Sequence, residues 1–506
     1  MFTMGRKVIY ANYTEEQLLI GTKEEIDNKI LDILTNAIPT HAVNRHEILY
    51  LQNFLYGSQD ISTKEKQTRK EINNKSVENW AHCLEDFKAT FLLGKPIQYA
   101  SANDISKEEI SQLNKYNSYE DKHFLDLETY EDLWTVGRSY RYIQGSKITD
   151  EDEAPYDLVN LDVENTEVVY SSNAKHEQLL SFVETSKRYI IQEVDPNTGE
   201  KKYVPKNYNE YTVYTRKTQY TINDKSGSLK IIDRKPILHN EHSVIEYYFN
   251  RRRMSDLEFI KDILNDINYV ENLDLDDIEQ FVNSIMVFTN AEVSKNEIEQ
   301  IKEMGAVSIA SSDNKKASVE ILQSRLKSLD TQIFYLRKLS ALHTIINVPQ
   351  ATNNGDVSNA ETGKAFLTGQ GFTSASIRVE GEEQKFKKCD RKLLKVILKI
   401  CKGTSRSGIK NLKVSDIESK FSRDLSDNLL NKTQALLNLT TANIPPSIRN
   451  TVIGLFSDPN SVTKLQEQYE KELKETEKQL KKLQNNDIQE QNNVLSKAQN
   501  NDIQEQ

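Results

Sequence analysis

The strongest periodic signal lies between residues 255 and 402. Ser255 and Glu258 fit a capping box, the serine oxygen accepting from the backbone N–H three residues on while the glutamate reaches back. Leu257, Ile260, Leu264, Ile267, Val270, Ile278, Phe281 and Ile285 then recur at helical spacing. Leu322, Leu326, Leu329, Ile333, Leu336, Ser340 and His343 alternate steps of four and three, a seam for a partner helix. A third helix is boxed by Ser358 and Glu361 and runs to Lys402, with Gly403 as its natural stop. About 44 residues at 1.5 Å each give roughly 66 Å. An ordinary compact domain does not bury such a length, so other copies of the chain are expected beside it. Gly363, Gly369, Gly371 and Gly381 fall inside this helix, each at about 1 kcal/mol against alanine. They predict a kink or close packing in a ring, or else a break near Gly369–Gly371. Beyond Phe386 the pattern Leu393, Leu394, Val396, Ile397, Leu398, Ile400 predicts a buried half.

Between the first two helices, Ile285–Phe288 reads as a strand and Ser294 with Glu297 caps a short helix ending at Met304-Gly305. Ala306–Ile309 reads as a second strand, Ser311–Asn314 as a turn, and Ser318–Ile321 as a segment that pairs back. The expectation is a βαβ-like knob on a helical hairpin, or an ordinary α/β insertion. The polar loop Pro349–Val357 is either exposed and functional or a simple connection.

Ahead of this region, Thr22–Ile38 has helical spacing up to Pro39, so residues 1–40 are expected as a peripheral arm, and 41–57 as a second helix. Ser76–Leu93 is amphipathic, with Val77, Trp80, Leu84, Phe87 and Phe91 on one face and Gly94-Lys95-Pro96 as its end. Ile97–Tyr99 reads as a strand, and helices are expected at 106–117 and 121–136. After Gly137 the period becomes two. Strands at 139–143, 168–170, 188–191, 210–215 and 229–232 predict an antiparallel meander. Tyr203, Tyr208, Tyr211, Tyr214 and Tyr220 could form a nucleic-acid stacking surface, but half-exposed strands and subunit interfaces favour tyrosine on other grounds. Arg251-Arg252-Arg253 reads as an ion-pair cluster, with Glu258 and Asp262 available, or as a phosphate contact. Past Gly403, helices are expected at 425–440, 447–456 and 461–484, the last striped by Leu465, Tyr469, Leu473, Leu480 and Leu483. Residues 485–491 and 500–506 repeat Asn-Asn-Asp-Ile-Gln-Glu-Gln, a low-complexity tail too polar to bury a core and expected to be disordered.

Composition narrows the reading. The 506 residues suffice for two to four domains, and the net charge is −10. The acidic balance argues against a protein that grips DNA through phosphates. Cys83, Cys389 and Cys401 show no metal or disulfide spacing, so reduced thiols are expected. No apolar run follows Met1–Lys7, and runs such as Phe91–Leu93 are too short for a bilayer, so assembly in solution is expected. No phosphate-loop, zincin or nucleophile-elbow motif is present; Gly403–Gly408 lacks the Gly-Lys-Ser/Thr end. His41 and His46 lack a carboxylate companion in sequence, and Asp276-Asp277 reads as a solvated face before it reads as a divalent-ion site. The expectation is a non-enzyme with no cofactor and no metal site.

The order of helix, α/β knob, helix, polar loop and glycine-interrupted long helix resembles the portal proteins of tailed bacteriophages, the head-to-tail connectors. Ser243–Asn250 resembles the strand that enters that family's stem, and Leu93-Gly94-Lys95-Pro96 its entry to the wing. Asp256-Leu257-Glu258 and Asp276–Glu279 sit where the family has acidic–apolar blocks. Val348-Pro349 followed by Asn359–Ala365 resembles the tunnel loop and the start of the channel helix, although Thr362-Gly363-Lys364-Ala365 stands where the family usually has Ser-Gly-x-Ala. Phe421–Asp424 and Asp458-Pro459 resemble landmarks leading into the crown. The likeness covers roughly residues 40–475.

The resemblance implies an α+β portal-like fold assembled as a ring of about twelve. It would comprise an N-terminal arm (1–40), an α/β wing (41–253), a helical-hairpin stem (254–285 and 322–346) and a small α/β clip (286–321). A tunnel loop (347–358), a long kinked channel helix (359–402), a helical crown (403–484) and the tail (485–506) would follow. It implies that Gln350, Thr352, Asn353, Asn354 and Asp356 face DNA through weak contacts, with Lys364 near the bore. It implies that Lys295, Lys302, Lys315 and Lys316 meet terminase and later a head-completion adaptor. Capsid and scaffolding proteins, and double-stranded DNA passing without sequence readout, complete the implied partners, at the portal vertex of a virion assembled in a bacterial cytoplasm. The alternative is another ring-forming virion or adaptor protein.

Overall fold

Helix α2, Lys23–Leu55, sets the frame of the molecule because its two ends enter different cores. The computed structural model describes residues 5–67, 70–101, 106–147, 150, 153–194, 201–282, 285–289, 318–322, 328–349 and 372–422, with scattered positions between 436 and 476. Thr22 caps α2, its oxygen accepting from the Glu25 N–H while Glu25 accepts from the Thr22 N–H. The expected stop at Pro39 does not occur, and α2 runs through the proline to Leu55. Ile30, Ile33, Leu34 and Ala37 enter a core with Val169, Phe182 and Val213. Ile48, Leu51, Phe54 and Leu55 enter a larger core with Leu84, Trp134 and Leu257. A buried large aliphatic or aromatic side chain is worth about 1.5–3 kcal/mol, so the two anchors outweigh the roughly 3 kcal/mol of an interior proline. Pro39 itself faces solvent.

Residues 5–40 are not a peripheral arm. Strand β1, Ile9–Ala11, pairs in parallel with β5, Thr166–Ser171, through Ile9↔Val169. Helix α1 is Glu15–Leu19. The expected single meander is two sheets. Strands β1, β5, β6 (Gln178–Val194), β7 (Lys201–Tyr214), β8 (Thr218–Asn223) and β9 (Lys230–Pro236) form one, antiparallel beyond β1. Strand β3 (Arg138–Gly145) leaves the meander to lie between β10 (Val244–Tyr248) and β4 (Tyr156–Leu161). The cause is burial on both faces: Arg138 through Arg141 and Val244 through Tyr247 are buried without alternation, a pattern an open-faced meander strand does not have.

Helix α3 is Trp80–Leu93, four residues shorter than expected at its start. Residues 76–79 lie extended against α6 (Asp256–Val282), whose Asn272 and Asn268 accept from the N–H groups of Ser76 at 2.7 Å and Glu78 at 2.8 Å. Helices α4 (Lys107–Tyr119) and α5 (Lys122–Thr135) follow as expected. Strand β2, Gln98–Ser101, pairs antiparallel with a late strand at Ile417–Lys420, so residues 403–422 pack into the first of the chain's two units, Met1–Arg423. The expected crown boundary at 403 therefore differs from the observed division at Asp424.

The hairpin pairs α6 with α7, Ser328–Ile346, and carries β11 (Ile285–Thr289) antiparallel to β12 (Ser318–Leu322), with Ile285 opposite Leu322. The strand expected at Ile285–Phe288 and the segment expected to pair back at Ser318–Ile321 are these two strands; Ile285 and Leu322, also counted in the helical patterns, belong to them. The expected helix at 294–305 and strand at 306–309 lie outside the described residues. On α7 the buried side chains among the described residues are Leu342 and Ile346; Ile333 and Leu336 of the predicted seam are 53% and 49% exposed. Helix α8, Phe372–Gly403, stops at the expected glycine and buries Leu393, Leu394, Ile397 and Cys401. A side chain at Gly381 would meet nothing within 4 Å; the other three glycines of the predicted helix lie outside the described residues.

In the second unit, residues 436–441 are helical, Arg449 donates to Thr440 at 3.0 Å, and Leu465, Tyr469 and Leu473 are exposed. Among the described residues, no helix is long and apolar enough to cross a membrane.

Candidate functional site: the ionic hub under the hairpin

The start of α6 is where the chain brings its distant segments together. The Ser255 oxygen accepts from the Glu258 N–H at 3.1 Å, and Glu258 accepts from the Ser255 N–H at 2.8 Å, which completes the predicted box. Glu258 does more than cap. Its other oxygen accepts from the Gly5 N–H at 2.8 Å and from Arg6 at 2.5 Å, and Arg6 also meets Glu47 of α2 at 3.3 Å. Gly5 sits at φ +83°, and a Cβ there would lie 2.3 Å from the Arg252 carbonyl oxygen. Gly137, also at φ +83°, approaches the Arg253 carbonyl in the same way. Only glycine permits both approaches.

The three consecutive arginines divide. Arg253 is buried and bidentate on Glu246, at 3.0 and 2.8 Å, and stacks 3.8 Å from the Tyr248 ring centre. Glu258, expected as a partner of these arginines, is taken by Arg6 instead.

A second cluster ties the hairpin to the long helix. Arg378 of α8 donates to both carboxylate oxygens of Asp256 at 2.8 and 2.9 Å, to the Ile345 carbonyl at 3.1 Å and to Glu382 at 3.3 Å. One guanidinium thus joins the start of α6, the end of α7 and α8, using the planar fork that lysine lacks. Glu382 accepts from Lys88 of α3 at 3.1 Å and from the Tyr130 hydroxyl of α5 at 2.9 Å. Burial raises the Asp256 carboxyl above its usual range, and Arg378 opposes the shift.

Deeper in the first unit, Asp390 accepts from Tyr99 at 2.7 Å and meets Lys122 at 3.1 Å, Lys122 meets Asp126, and Arg141 meets Asp126 at 2.5 Å. Arg138 is bidentate on Glu167 at 2.7 and 3.0 Å, and Asn44 donates to the same carboxylate at 3.0 Å. Burial would raise the Glu167 carboxyl; Arg138, His41 and Asn44 overcome it and bring the pKa to about 2. His41, read as lacking a carboxylate companion, lies between Glu167 at 3.8 Å and Glu184 at 3.4 Å. Burial opposes its charge, but the two carboxylates prevail and raise its pKa.

These clusters fix geometry and hold charge in place. Among the described residues, no group of three or more His, Cys, Asp or Glu is placed to hold a metal ion. Asp276 is occupied by Lys64 at 2.7 Å, Lys66 at 2.6 Å and the Asn74 N–H at 2.7 Å, so it is neither a solvated nor a free ligand. Tyr211, Tyr214 and Tyr220 are buried, which removes most of the tyrosine stacking surface, while Tyr203 is exposed.

The residues singled out by resemblance lie elsewhere. Gln350, Thr352, Asn353, Asn354, Asp356 and Lys364, and likewise Lys295, Lys302, Lys315 and Lys316, are outside the described residues. The chain on the near side of the first group is described: His343 Nδ1 lies 3.3 Å from the Val348 carbonyl, at the end of α7. Of the hub, sequence reading found the Ser255–Glu258 box and an ion-pair role for the arginines, but Arg253 pairs with Glu246 and not with the expected Glu258 or Asp262. It missed Arg378, Glu382, Arg138 and Glu167. The available signals were the i,i+4 pair Arg378–Glu382 and the charges Arg138 and Arg141 in β3 and Glu167 in β5.

The family described as phage portal protein, SPP1 Gp6-like, matches residues 35–485. Nothing among curated proteins matches the chain. Among solved structures it is similar to one described as "Neck of empty GTA particle computed with C6 symmetry", at 11% identity and TM-score 0.38, over 74% of this chain and 90% of that one.

Proposed function

This chain belongs to the phage portal protein family, SPP1 Gp6-like, and from that premise we propose that it closes into a ring of about twelve copies at the capsid vertex. The family match across residues 35–485 carries the reading. The family is a structural one, and its members are virion components. DNA passes through the ring during packaging and ejection, with terminase and then a head-completion adaptor docking on it, and capsid and scaffolding proteins around it.

In this reading residues 41–253 are the wing, 254–285 and 322–346 the stem, 286–321 the clip, 347–358 the tunnel loop and 359–402 the channel helix. The crown runs from 424 to 484, beyond the division between the two units. Gln350, Thr352, Asn353, Asn354 and Asp356 touch DNA with weak contacts suited to sliding, and Lys364 lies near the bore. Lys295, Lys302, Lys315 and Lys316 form the terminase-facing surface. Two observations support the assignment. Ile333, Phe334 and Leu336 on α7, with Tyr269 and Ile278 on α6, remain exposed in the single chain, as a stem awaiting neighbours would. The Arg378 junction holds the hairpin rigidly to the long helix, which a channel bearing DNA load requires. The reading as another ring-forming adaptor is not favoured.

Deleting residues 350–357 tests the channel assignment. The expected outcome is intact rings that fail to package or retain DNA in a reconstituted head. Unchanged packaging by the deletion variant would remove the tunnel-loop role.

A further inference from the structure

Beside the Arg253–Glu246 pair, a cavity of about 590 Å³ opens between β1, β10 and the C-terminal half of α8. Lys388, Lys392 and Lys395 reach it from one face of α8, at i, i+4 and i+7. Lys175, Arg216 and Arg251 line the other walls. With Arg253, the lining holds seven formal cations against the three carboxylates of Glu15, Glu177 and Glu241. This local excess stands in a chain whose net charge is −10.

The three carboxylates are already engaged. Glu241 meets Lys395 at 2.9 Å and Arg216 at 3.4 Å, and also pairs with Lys399. Glu15 meets Arg216 at 3.3 Å and His242 at 3.4 Å, and Glu177 meets Lys175 at 3.7 Å. Arg253 is neutralised by Glu246. Lys388, Lys392 and Arg251 have no carboxylate partner among the described residues. The two lysine ammoniums lie 5.6 and 5.9 Å from the Tyr248 ring centre, the ring on which Arg253 also stacks. They are gathered at the cavity wall, in a concave space that focuses their field.

We propose that this cavity binds a polyvalent phosphate anion. Three unpaired cations converging on one concavity suit a ligand that carries several oxyanions on adjacent groups. Lysine supplies point charges and arginine a fork for two oxygens. An acidic peptide spaces its charges along a backbone whose own polar groups would also need partners, so it matches the site less well. The phosphate has two possible sources, a free polyphosphate or the backbone of a nucleic acid. The inference does not rest on the portal reading.

Titration calorimetry on the full chain at fixed low salt tests it, with three probes: sodium tripolyphosphate, a short DNA duplex and a poly-glutamate peptide. At least one phosphate probe is expected to bind. The double variant Lys388→Gln, Lys392→Gln should weaken that binding at least tenfold, while Lys402→Gln, on the same helix but outside the cavity, should leave it unchanged. Both lysines are exposed, and unaltered circular dichroism melting of the double variant establishes that its fold is kept. Tripolyphosphate binding without duplex binding assigns a free anion; duplex binding alone, lost in the double variant, assigns a nucleic-acid backbone. The proposal is overturned if neither phosphate probe binds, if the double variant binds as the parent does, or if only poly-glutamate binds.

Discussion

Replacing Arg138 with methionine would strand the Glu167 carboxylate in a fully buried site. Breaking a buried pair on one side costs about 3–5 kcal/mol, so denaturant unfolding at pH 7 should shift by that order. The sign with pH follows from the depressed pKa. Glu167 titrates at about 2 when folded and in the ordinary carboxylate range when unfolded. Its contribution is therefore present above pH 4.5 and fades as pH falls toward 2. The gap between Arg138→Met and the parent should narrow at pH 4. Glu85 has the opposite sign. Burial, with Glu131 and Asp86 nearby, pushes its carboxyl up to about 7. Between pH 4.5 and 7 the folded chain holds the extra proton, so this group's share of stability falls as pH rises through that window. Glu85→Gln should stabilise the chain at pH 8 by about 1–2 kcal/mol, allowing for partial solvent screening, and change little at pH 4.5. Neither carboxylate was legible as special in the sequence, because each acquires its character from partners distant in the chain or from burial. Ser255 and Glu258 were legible because a capping box is local.

Among the elements, α6 shows what local reading reaches and what it misses. Its start and the first half of its apolar stripe, Leu257 through Ile267, are written in neighbouring residues and appear as expected, whereas Ile278 further along is exposed. Its polar stripe is not a solvated face: Asn268, Asn272 and Asp276 are buried and bind the backbone and side chains of residues 64–78. That partnership shortens α3, since the Ser76 and Glu78 N–H groups are committed before the helix can begin. Asn272→Ala should free the segment, at about 1–3 kcal/mol for the lost buried hydrogen bonds. Hydrogen exchange should quicken over residues 74–79 and stay unchanged over the buried half of α8. The continuation of α2 through Pro39 has the same kind of cause, two distant cores holding one helix. The α7 seam is a third case. Its heptad spacing predicts a partner, and among the described residues Ile333 and Leu336 have none that buries them. Changing both to serine should alter the stability of the single chain by under about 0.5 kcal/mol and yet lower the yield of assembled particles in sedimentation.

For the molecule as a whole, the resemblance of its element order and motifs to the portal family carried the functional class, and a family match over residues 35–485 agrees with it. The architecture was less legible. Two sheets replace one meander, and residues 403–422 return to the first unit through β2. Both depend on long-range strand pairing, which periodicity along the chain does not encode. Assembly is the property on which the account turns. Negative-stain electron microscopy of the purified full-length chain, imaged over a range of concentrations, measures it most directly. The account predicts rings with a central hole and about twelvefold symmetry, near 700 kDa for copies of a 58.3 kDa chain. A particle that stays monomeric at the highest concentration and in the presence of scaffolding protein would contradict it.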